Sequence, residues 1–184
     1  LIANSLWTRD AVADHVTCTT IIPPAIAPVF YRHVGVDSEL NRPRDILLHY
    51  SVGRNRGGQH GIDLIDAVLS VRPQTKVTVW TRDQDPGLDG VKVVSDLTDE
   101  ELCQCYLSHS FLLFPSTFEG AGMPPMEAMA CGCIPILKAG VGAADTYASR
   151  ENAVLLGPEV MTDAESIVDL LNHPPATARM RANV

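Results

Sequence analysis

Short apolar segments rich in β-branched residues alternate along this chain with segments in which apolar residues recur at helical spacing. The strand-like segments span residues 45–50, 76–80, 91–94, 111–114, 134–137 and 153–156. The helical segments span about residues 62–69, 98–107, 124–131 and 162–171. The fourth strand-like segment is apolar at every position, as expected of a strand covered on both faces. The alternation predicts an α/β fold, a doubly wound parallel sheet with helices on both faces.

Composition and charge exclude several classes of protein. Hydrophobic residues make up 46% of the 184 residues and charged residues 20%, which is typical of a folded globular domain. No apolar run approaches the roughly 20 residues that span a bilayer, so we expect a soluble domain. The 14 Lys and Arg against 22 Asp and Glu give a net charge of −8, the wrong sign for a general nucleic-acid binder. An anionic ligand must therefore be bound by local groups.

The cysteine count and the first residue bear on the compartment. Five cysteines, an odd number, argue against a secreted disulfide framework, and the chain shows no signal peptide. We therefore predict a cytoplasmic protein. The chain begins at Leu1 without Met, and we expect it to be part of a longer protein.

The chemistry is expected in loops that follow strands, because ligands of open parallel sheets bind beyond the carboxyl ends of the strands. In the loop after the fourth strand, Gly120 and Gly122 allow tight turns and close approach to a ligand. Pro124 begins the next helix, and free amides at that N-terminus suit a diphosphate. Glu119 and Glu127 flank this region, and carboxylates accept hydrogen bonds from sugar hydroxyls. The alternative is that Glu119 is a solvated loop residue and Glu127 merely favours the helix.

Two further loops carry groups suited to a phosphate or a base. Residues 53–61 form a glycine-rich turn with Arg54 and Arg56, and guanidinium groups bind diphosphates with bidentate geometry. The turn lacks the Gly-Lys-Ser/Thr ending of a P-loop, and ordinary surface arginines are the alternative. Arg82, in the loop after the second strand, could contact a nucleotide base or belong to an ordinary polar loop.

Other side chains have structural interpretations. His49 and Trp80, at strand ends, are interpreted as core residues, with contact to the ligand site as the alternative. His109 is interpreted as a hydrogen-bonded loop histidine. The pairs Cys103/Cys105 and Cys131/Cys133 could suggest zinc, but their placement on a helix and across a helix end favours small apolar filler.

The Glu119–Glu127 segment resembles the E-x(7)-E signature of the retaining family 4 (group 1) glycosyltransferases, which have the GT-B fold. The family pattern, roughly E-G-F-G-L-P-x-x-E-A-M-A-x-G-x-P-V, is matched over residues 119–136. Val52-Gly53-Arg54 matches the exit of the first donor-domain strand, and residues 98–107 match a helix with the pattern s-d-e-e-L. The resemblance covers about residues 45–172. It implies the C-terminal half of a GT-B fold, a Rossmann-like domain that binds a nucleotide-sugar donor.

The resemblance also implies how the chain is divided and what it binds. The regions would be the end of an N-terminal acceptor domain (1–24), a connecting segment (25–44), the donor-binding domain (45–172) and a C-terminal tail (173–184). The implied enzyme transfers hexosyl or deoxyhexosyl groups in polysaccharide biosynthesis, in the cytoplasm and peripheral to the inner membrane face. Its acceptor would be a saccharide or lipid-linked saccharide on the N-terminal domain, and nucleic acid is not a partner. Alone, this chain is expected to bind the donor without turning it over.

Roles follow for residues at matching positions. The catalytic pair would be Glu119, which contacts the donor sugar, and Arg54, which binds the diphosphate and stabilises charge on the leaving group. Glu127 would accept hydrogen bonds from the ribose hydroxyls. The other substrate-binding positions are Gly53, Arg56, His60, Arg82, Gly120, Ala121, Gly122 and Met123. Transfer would be retaining and would need no metal or cofactor, because cationic side chains and a helix N-terminus neutralise the diphosphate.

The sequence departs from the family pattern at two positions of the site. Gln59 stands where the family has Lys, and Ala121 where it has Phe, which opens space beside the sugar. Arg56 or His60 could replace the missing cation. The alternatives are a GT-B-like sugar-nucleotide epimerase and a degenerate, non-catalytic nucleotide-sugar-binding module. A dinucleotide-dependent oxidoreductase is disfavoured, because no G-x-G-x-x-G follows the first strand.

Overall fold

The computed structural model describes residues 2–17, 20–31, 43–53, 56–142 and 144–184. Its first elements are two short parallel strands, β1 (Ile2–Ala3) and β2 (Thr20–Ile21), joined through helix α1 (Leu6–Ala11). Ser5 is the N-cap of α1, and its hydroxyl accepts a hydrogen bond from the Thr8 amide.

Six strands form the central sheet. They are β3 (Ile46–Tyr50), β4 (Val77–Thr81), β5 (Lys92–Val94), β6 (Phe111–Phe114), β7 (Ile134–Lys138) and β8 (Val154–Leu156). Every neighbouring pair is parallel, in the order β5-β4-β3-β6-β7-β8. This confirms the predicted doubly wound, Rossmann-like sheet. The strand order reverses between β3 and β6, so the switch point lies at the carboxyl ends of these two strands.

Helices cover both faces of the sheet. They are α2 (Gly58–Val71), α3 (Asp99–Leu107), α4 (Met123–Ala130), α5 (Ala144–Tyr147), α6 (Val160–Asn172) and α7 (Pro174–Arg181). Helices α2 and α6 bury their apolar side chains against one face. Helices α3 and α4 and a 3-10 turn at Pro28–Phe30 cover the other face. The four predicted helices are confirmed, whereas α5 and the 3-10 turn are too short to show a period in the sequence.

The helices beside the switch point begin at recognisable signals. Thr98 and Glu101 form a capping box at the start of α3, in which the Glu101 carboxylate accepts from the Thr98 amide at 2.9 Å. Helix α4 has Gly122 as its N-cap and Pro124 in its first turn. Gly122 has a φ of 72°, a left-handed conformation that glycine adopts without steric cost.

The last residues are part of the folded body. Within 173–184, which the sequence predicts as a tail, helix α7 forms, and Met180 and Val184 pack against the core beneath α2 and α6. The Arg181 guanidinium donates to the Gly132 carbonyl at 3.0 Å. The division of the chain into four regions stays a prediction. None of the helices in the described part of the chain combines the length and the apolar character of a membrane-spanning helix.

Candidate functional site

A cleft of about 370 Å³ opens at the carboxyl ends of β3, β4 and β6, between these strands and the first turns of α3 and α4. Of the predicted site residues, the cleft brings together Arg56, Arg82, Glu119, Met123 and Glu127. The location agrees with the rule that ligands of open parallel sheets bind at the switch point.

The remaining predicted site residues divide into two groups. Arg54 lies outside the described residues. Gly120, Ala121 and Gly122 form the loop that leads into α4, and Gly53 the loop after β3; none of these four lines the cleft wall. His60 lies in the first turn of α2 and does not line the cleft either.

An ion pair joins two of the loops. The Arg56 Nη1 donates to the Glu119 Oε1 at 2.7 Å, and the Ser116 hydroxyl donates to the same oxygen at 3.0 Å. The Arg56 side chain is 51% exposed and the Glu119 side chain 16%, so the carboxylate is the anchored partner and the guanidinium faces the opening. The site thus holds a positive group over a negative one.

Glu127 lies one turn into α4. Burial and the nearby Asp99 carboxylate raise the pKa of Glu127, and a hydrogen bond from Tyr106 and the charge of Arg82 act in the opposite direction. The Tyr106 hydroxyl lies 3.5 Å from the Glu127 Oε2, a long contact that leaves the carboxylate able to accept from a ligand. Asp99 also lines the cleft, a carboxylate that the sequence interpretation missed because it reads as a helix-start residue.

An aromatic row forms the floor of the cleft. The His49 ring lies 4.6 Å from the Trp80 ring and 5.2 Å from the Phe114 ring, centroid to centroid. His49 on β3 is in register with Trp80 on β4, and Phe114 is the last residue of β6. Burial, with Arg56 and Arg82 nearby, lowers the pKa of His49 to about 4, so the imidazole is neutral at physiological pH. Trp80 is buried, as predicted, while His49 is half-buried and lines the cleft. Among the described residues, the Trp80 Nε1 is a buried side-chain donor without a hydrogen-bond partner.

Asp83 ties the loop after β3 to the exit of β4. Its Oδ2 accepts from the Ser51 hydroxyl at 2.9 Å and from the Val52 amide at 2.7 Å, and these bonds lower the pKa of Asp83. The sequence interpretation placed Asp83 in a polar loop without this role. The partners meet because β3 and β4 are adjacent parallel strands, and no local sequence pattern predicts which strands are adjacent.

Backbone packing holds the loops close to each other. Gly57, the N-cap of α2, has a φ of 68°, and a Cβ there would overlap the Pro115 carbonyl. A Cβ at Gly122 would lie 2.7 Å from the Tyr147 hydroxyl. Burial and the Glu119 charge raise the pKa of Tyr147 to about 12, so this phenol stays neutral beside the loop.

The N-terminal segment also reaches the site. The Ser5 hydroxyl donates to the Gly120 carbonyl at 3.1 Å, and the Trp7 ring packs edge-on against Phe118 at 4.9 Å between centroids. Since 115 residues separate Ser5 from Gly120, sequence periodicity carries no signal for this contact.

Three of the cysteines and His109 belong to the core. Cys103, Cys131 and Cys133 are buried, and the Cys103 Sγ lies 3.7 Å from the Cys131 Sγ, which agrees with the interpretation as apolar filler. His109 is hydrogen-bonded, as predicted, with its Nε2 2.9 Å from the Thr78 hydroxyl. Within the described ranges, His, Cys, Asp and Glu side chains form no group of three or more that could hold a metal ion.

Comparisons with known proteins agree with this architecture. The family model described as glycosyl transferases group 1 matches residues 81–184, more than half of the chain. No curated protein matches the chain significantly. Three solved structures that match illustrate the likeness.

Sucrose-phosphate synthase from Thermosynechococcus elongatus is 24% identical, with a TM-score of 0.74 over 99% of this chain and 51% of that one. HepE of Anabaena, in complex with UDP and glucose, is 20% identical, with a TM-score of 0.70 over 99% and 56%. The C-terminal domain of a glycosyl transferase group 1 family protein from Francisella tularensis is 17% identical, with a TM-score of 0.63 over 87% and 90%. The chain thus spans about half the length of the first two proteins, and at these identities the likeness establishes the fold.

Proposed function

The chain belongs to the group 1 glycosyl transferases, and on this premise we propose that its cleft binds a nucleotide-sugar donor for glycosyl transfer. The observation that carries the proposal is the presence of Glu119 and Glu127 in one cleft at the switch point of the sheet. Carboxylates accept hydrogen bonds from hydroxyl-rich ligands, and Arg56 and Arg82 beside them suit a diphosphate. The complex of Anabaena HepE with UDP and glucose supports this class of ligand.

Glu127 would receive the ribose. Its carboxylate is partly buried in the wall of the cleft, and the long hydrogen bond from Tyr106 leaves its oxygens available to the two ribose hydroxyls. The neutral aromatic row at the floor gives the nucleoside an apolar surface to rest on.

Positive groups would receive the diphosphate. Arg54, Arg56 and the free amides at the start of α4 would neutralise the charge that grows on the leaving diphosphate, and Glu119 would orient the sugar. We propose on this basis a metal-independent transfer of a hexosyl or deoxyhexosyl group with retention. The saccharide or lipid-linked acceptor would bind to a part of the protein outside this chain, and the reaction would take place in the cytoplasm. This chain alone would therefore bind the donor without transferring its sugar.

Calorimetric titration with UDP, GDP, ADP and dTDP tests the proposal. We expect saturable binding of one nucleotide and weaker binding by Glu127→Ala. The matched control is Glu165→Ala, which removes the same charge from an exposed position on α6, across the sheet from the cleft. If the wild-type chain binds none of the four nucleotides, or if Glu127→Ala binds as well as the wild type does, the proposal is wrong.

One observation favours a second candidate, a non-catalytic nucleotide-sugar-binding module. Gln59, where the family has Lys, donates to the Asp63 carboxylate of its own helix at 2.8 Å. Its side chain is therefore engaged along α2 rather than offered to a phosphate. Gln59→Lys tests this candidate. If the site lacks a cation that it needs, the added Lys should tighten nucleotide binding. If Arg56 already supplies that positive charge, nucleotide affinity should not change.

A further inference from the structure

The loop that carries Glu119 rests on the N-terminal segment. Ser5 is 3% exposed, and its hydroxyl donates to the Gly120 carbonyl at 3.1 Å while accepting from the Thr8 amide at 3.0 Å. The Ser5 oxygen also lies 3.0 Å from the Thr8 hydroxyl oxygen, so the buried hydroxyl contacts its own helix at two atoms and the loop at one. Both ends of this contact are fixed, because Ser5 is the N-cap of α1 and Gly120 lies next to the anchored Glu119.

The contact determines the direction of the next amide. A trans peptide is planar, so its carbonyl and the following N–H point in opposite directions. The described peptide bonds are all trans, and a Gly120 carbonyl held by Ser5 directs the Ala121 N–H away from the N-terminal segment. Among the described residues, the Ala121 N–H has no hydrogen-bond partner. The residues on either side of this stretch, Glu119 and Met123, line the cleft.

We infer that Ser5 is a positioning residue, which holds the Ala121 amide ready to donate to the sugar-diphosphate end of the donor. The inference rests on the proposed function, because it assigns a task to one amide of that site. Glycine at position 120 makes the support necessary: without a side chain, the peptide between residues 120 and 121 is free to rotate. The Trp7 ring against Phe118 supports the same loop from the side.

The variants separate the hydrogen bond from the fold of α1. Ser5→Asp keeps a side chain that caps α1 but has no hydrogen to donate to the Gly120 carbonyl. Ser5→Thr keeps the hydroxyl and serves as the rescue. Ala11→Gly weakens α1 at its far end without touching the loop.

The ligands separate positioning from general structure. UDP-glucose carries the diphosphate and the glucosyl group. UMP lacks the second phosphate and the glucosyl group, so its binding reports on the nucleoside end of the site. GDP-mannose and GMP form the corresponding pair for a guanine-specific site. We expect Ser5→Asp to bind the sugar nucleotide about 3- to 10-fold more weakly, as for one lost hydrogen bond, and to bind the monophosphate within about 2-fold of the wild type. Ser5→Thr and Ala11→Gly should bind both ligands as the wild type does.

Two results would overturn the inference and leave the proposed function standing. One is unchanged binding of the sugar nucleotide by Ser5→Asp; the other is an equal loss for the sugar nucleotide and the monophosphate, which would indicate general disruption. If the wild-type chain binds none of UDP, GDP, ADP and dTDP, the proposed function fails and this inference fails with it.

Discussion

The Arg56 guanidinium and the Glu119 carboxylate lie 2.7 Å apart, although 63 residues separate them in the sequence. The pair connects the loop before α2 to the loop before α4 across the switch point of the sheet. Because Glu119 is the less exposed partner, the guanidinium stays at the opening, where it would meet an incoming anion.

Replacing Arg56 by Met should weaken nucleotide binding far more than it weakens the fold. A half-exposed ion pair contributes below about 1 kcal/mol to stability, whereas a charge-assisted bond to a diphosphate contributes about 1.5–3 kcal/mol, or roughly 10-fold or more in affinity. Calorimetric titration with the nucleotide that the wild type binds measures the loss of affinity, and urea unfolding measures the loss of stability. Arg72→Met, at the C-terminal end of α2 and the other end of the sheet, is the charge-matched control and should leave affinity unchanged.

Glu127→Gln should stabilise the free protein and weaken binding. Burial and Asp99 raise the pKa of Glu127 in the folded state above the ordinary 4.5, so its contribution to stability is full below that value and is lost as pH rises through the folded pKa. Gln imitates the protonated form, and the variant should therefore unfold at higher urea than the wild type at pH 7 but not at pH 4. Nucleotide affinity should fall by about 10-fold, since neutral hydrogen bonds are weaker than charge-assisted ones. A variant that is destabilised at pH 7 would contradict this account.

His49 should make stability depend on pH in a defined window. Its folded pKa of about 4 lies below the ordinary 6.5, so its contribution is full above pH 6.5 and is lost as pH falls toward 4. The full effect is about 3 kcal/mol. Urea unfolding of the wild type and of His49→Phe, which keeps an aromatic ring in the row, measures it: the wild type should lose more stability between pH 7.5 and 4.5. Parallel curves would show that His49 does not titrate in this way.

Two glycine substitutions should separate backbone strain from close packing. Gly57 and Gly87 both have left-handed φ values, 68° and 73°, but a Cβ at Gly57 would overlap the Pro115 carbonyl, while nothing lies within 4 Å of one at Gly87. Gly87→Ala should therefore cost about 1–2 kcal/mol from the backbone alone. Gly57→Ala should cost about 1–3 kcal/mol more, because the loops must move apart. Thermal unfolding of both variants checks the difference, and equal costs would show that the loops yield freely.

The sheet could be predicted from the sequence because its signals are local. The apolar run Phe111–Phe114 predicts a strand and the spacing within 98–107 predicts a helix, and both are confirmed. Helix α7 was not predicted, because residues 173–184 were assigned to a tail; its first turn holds Pro174 and Pro175, and proline there is compatible with a helix.

The sequence predicted which loops form the site, but not most of the contacts between them. The resemblance placed Glu119, Glu127 and Arg56 in one region, and the structure brings them into one cleft. The bonds of Asp83 to the loop after β3, and of Ser5 to Gly120, depend on strand order and on docking of distant segments. Such contacts have no period or spacing in the sequence, and the roles of individual site residues stay predictions until ligands are measured.

The 3-10 turn at Pro28–Phe30 has a consequence for what counts as a module. Phe30 is 1% exposed and packs with Tyr106 at 5.9 Å between ring centroids, beneath the wall of the cleft. A shortened gene that started at β3 would leave a phenylalanine-sized hole there, at about 3–5 kcal/mol, and would also delete Ser5. The unit that recombination can transfer between proteins as a folded domain is therefore the six-stranded sheet with its helices, together with the N-terminal segment of the chain that precedes β3.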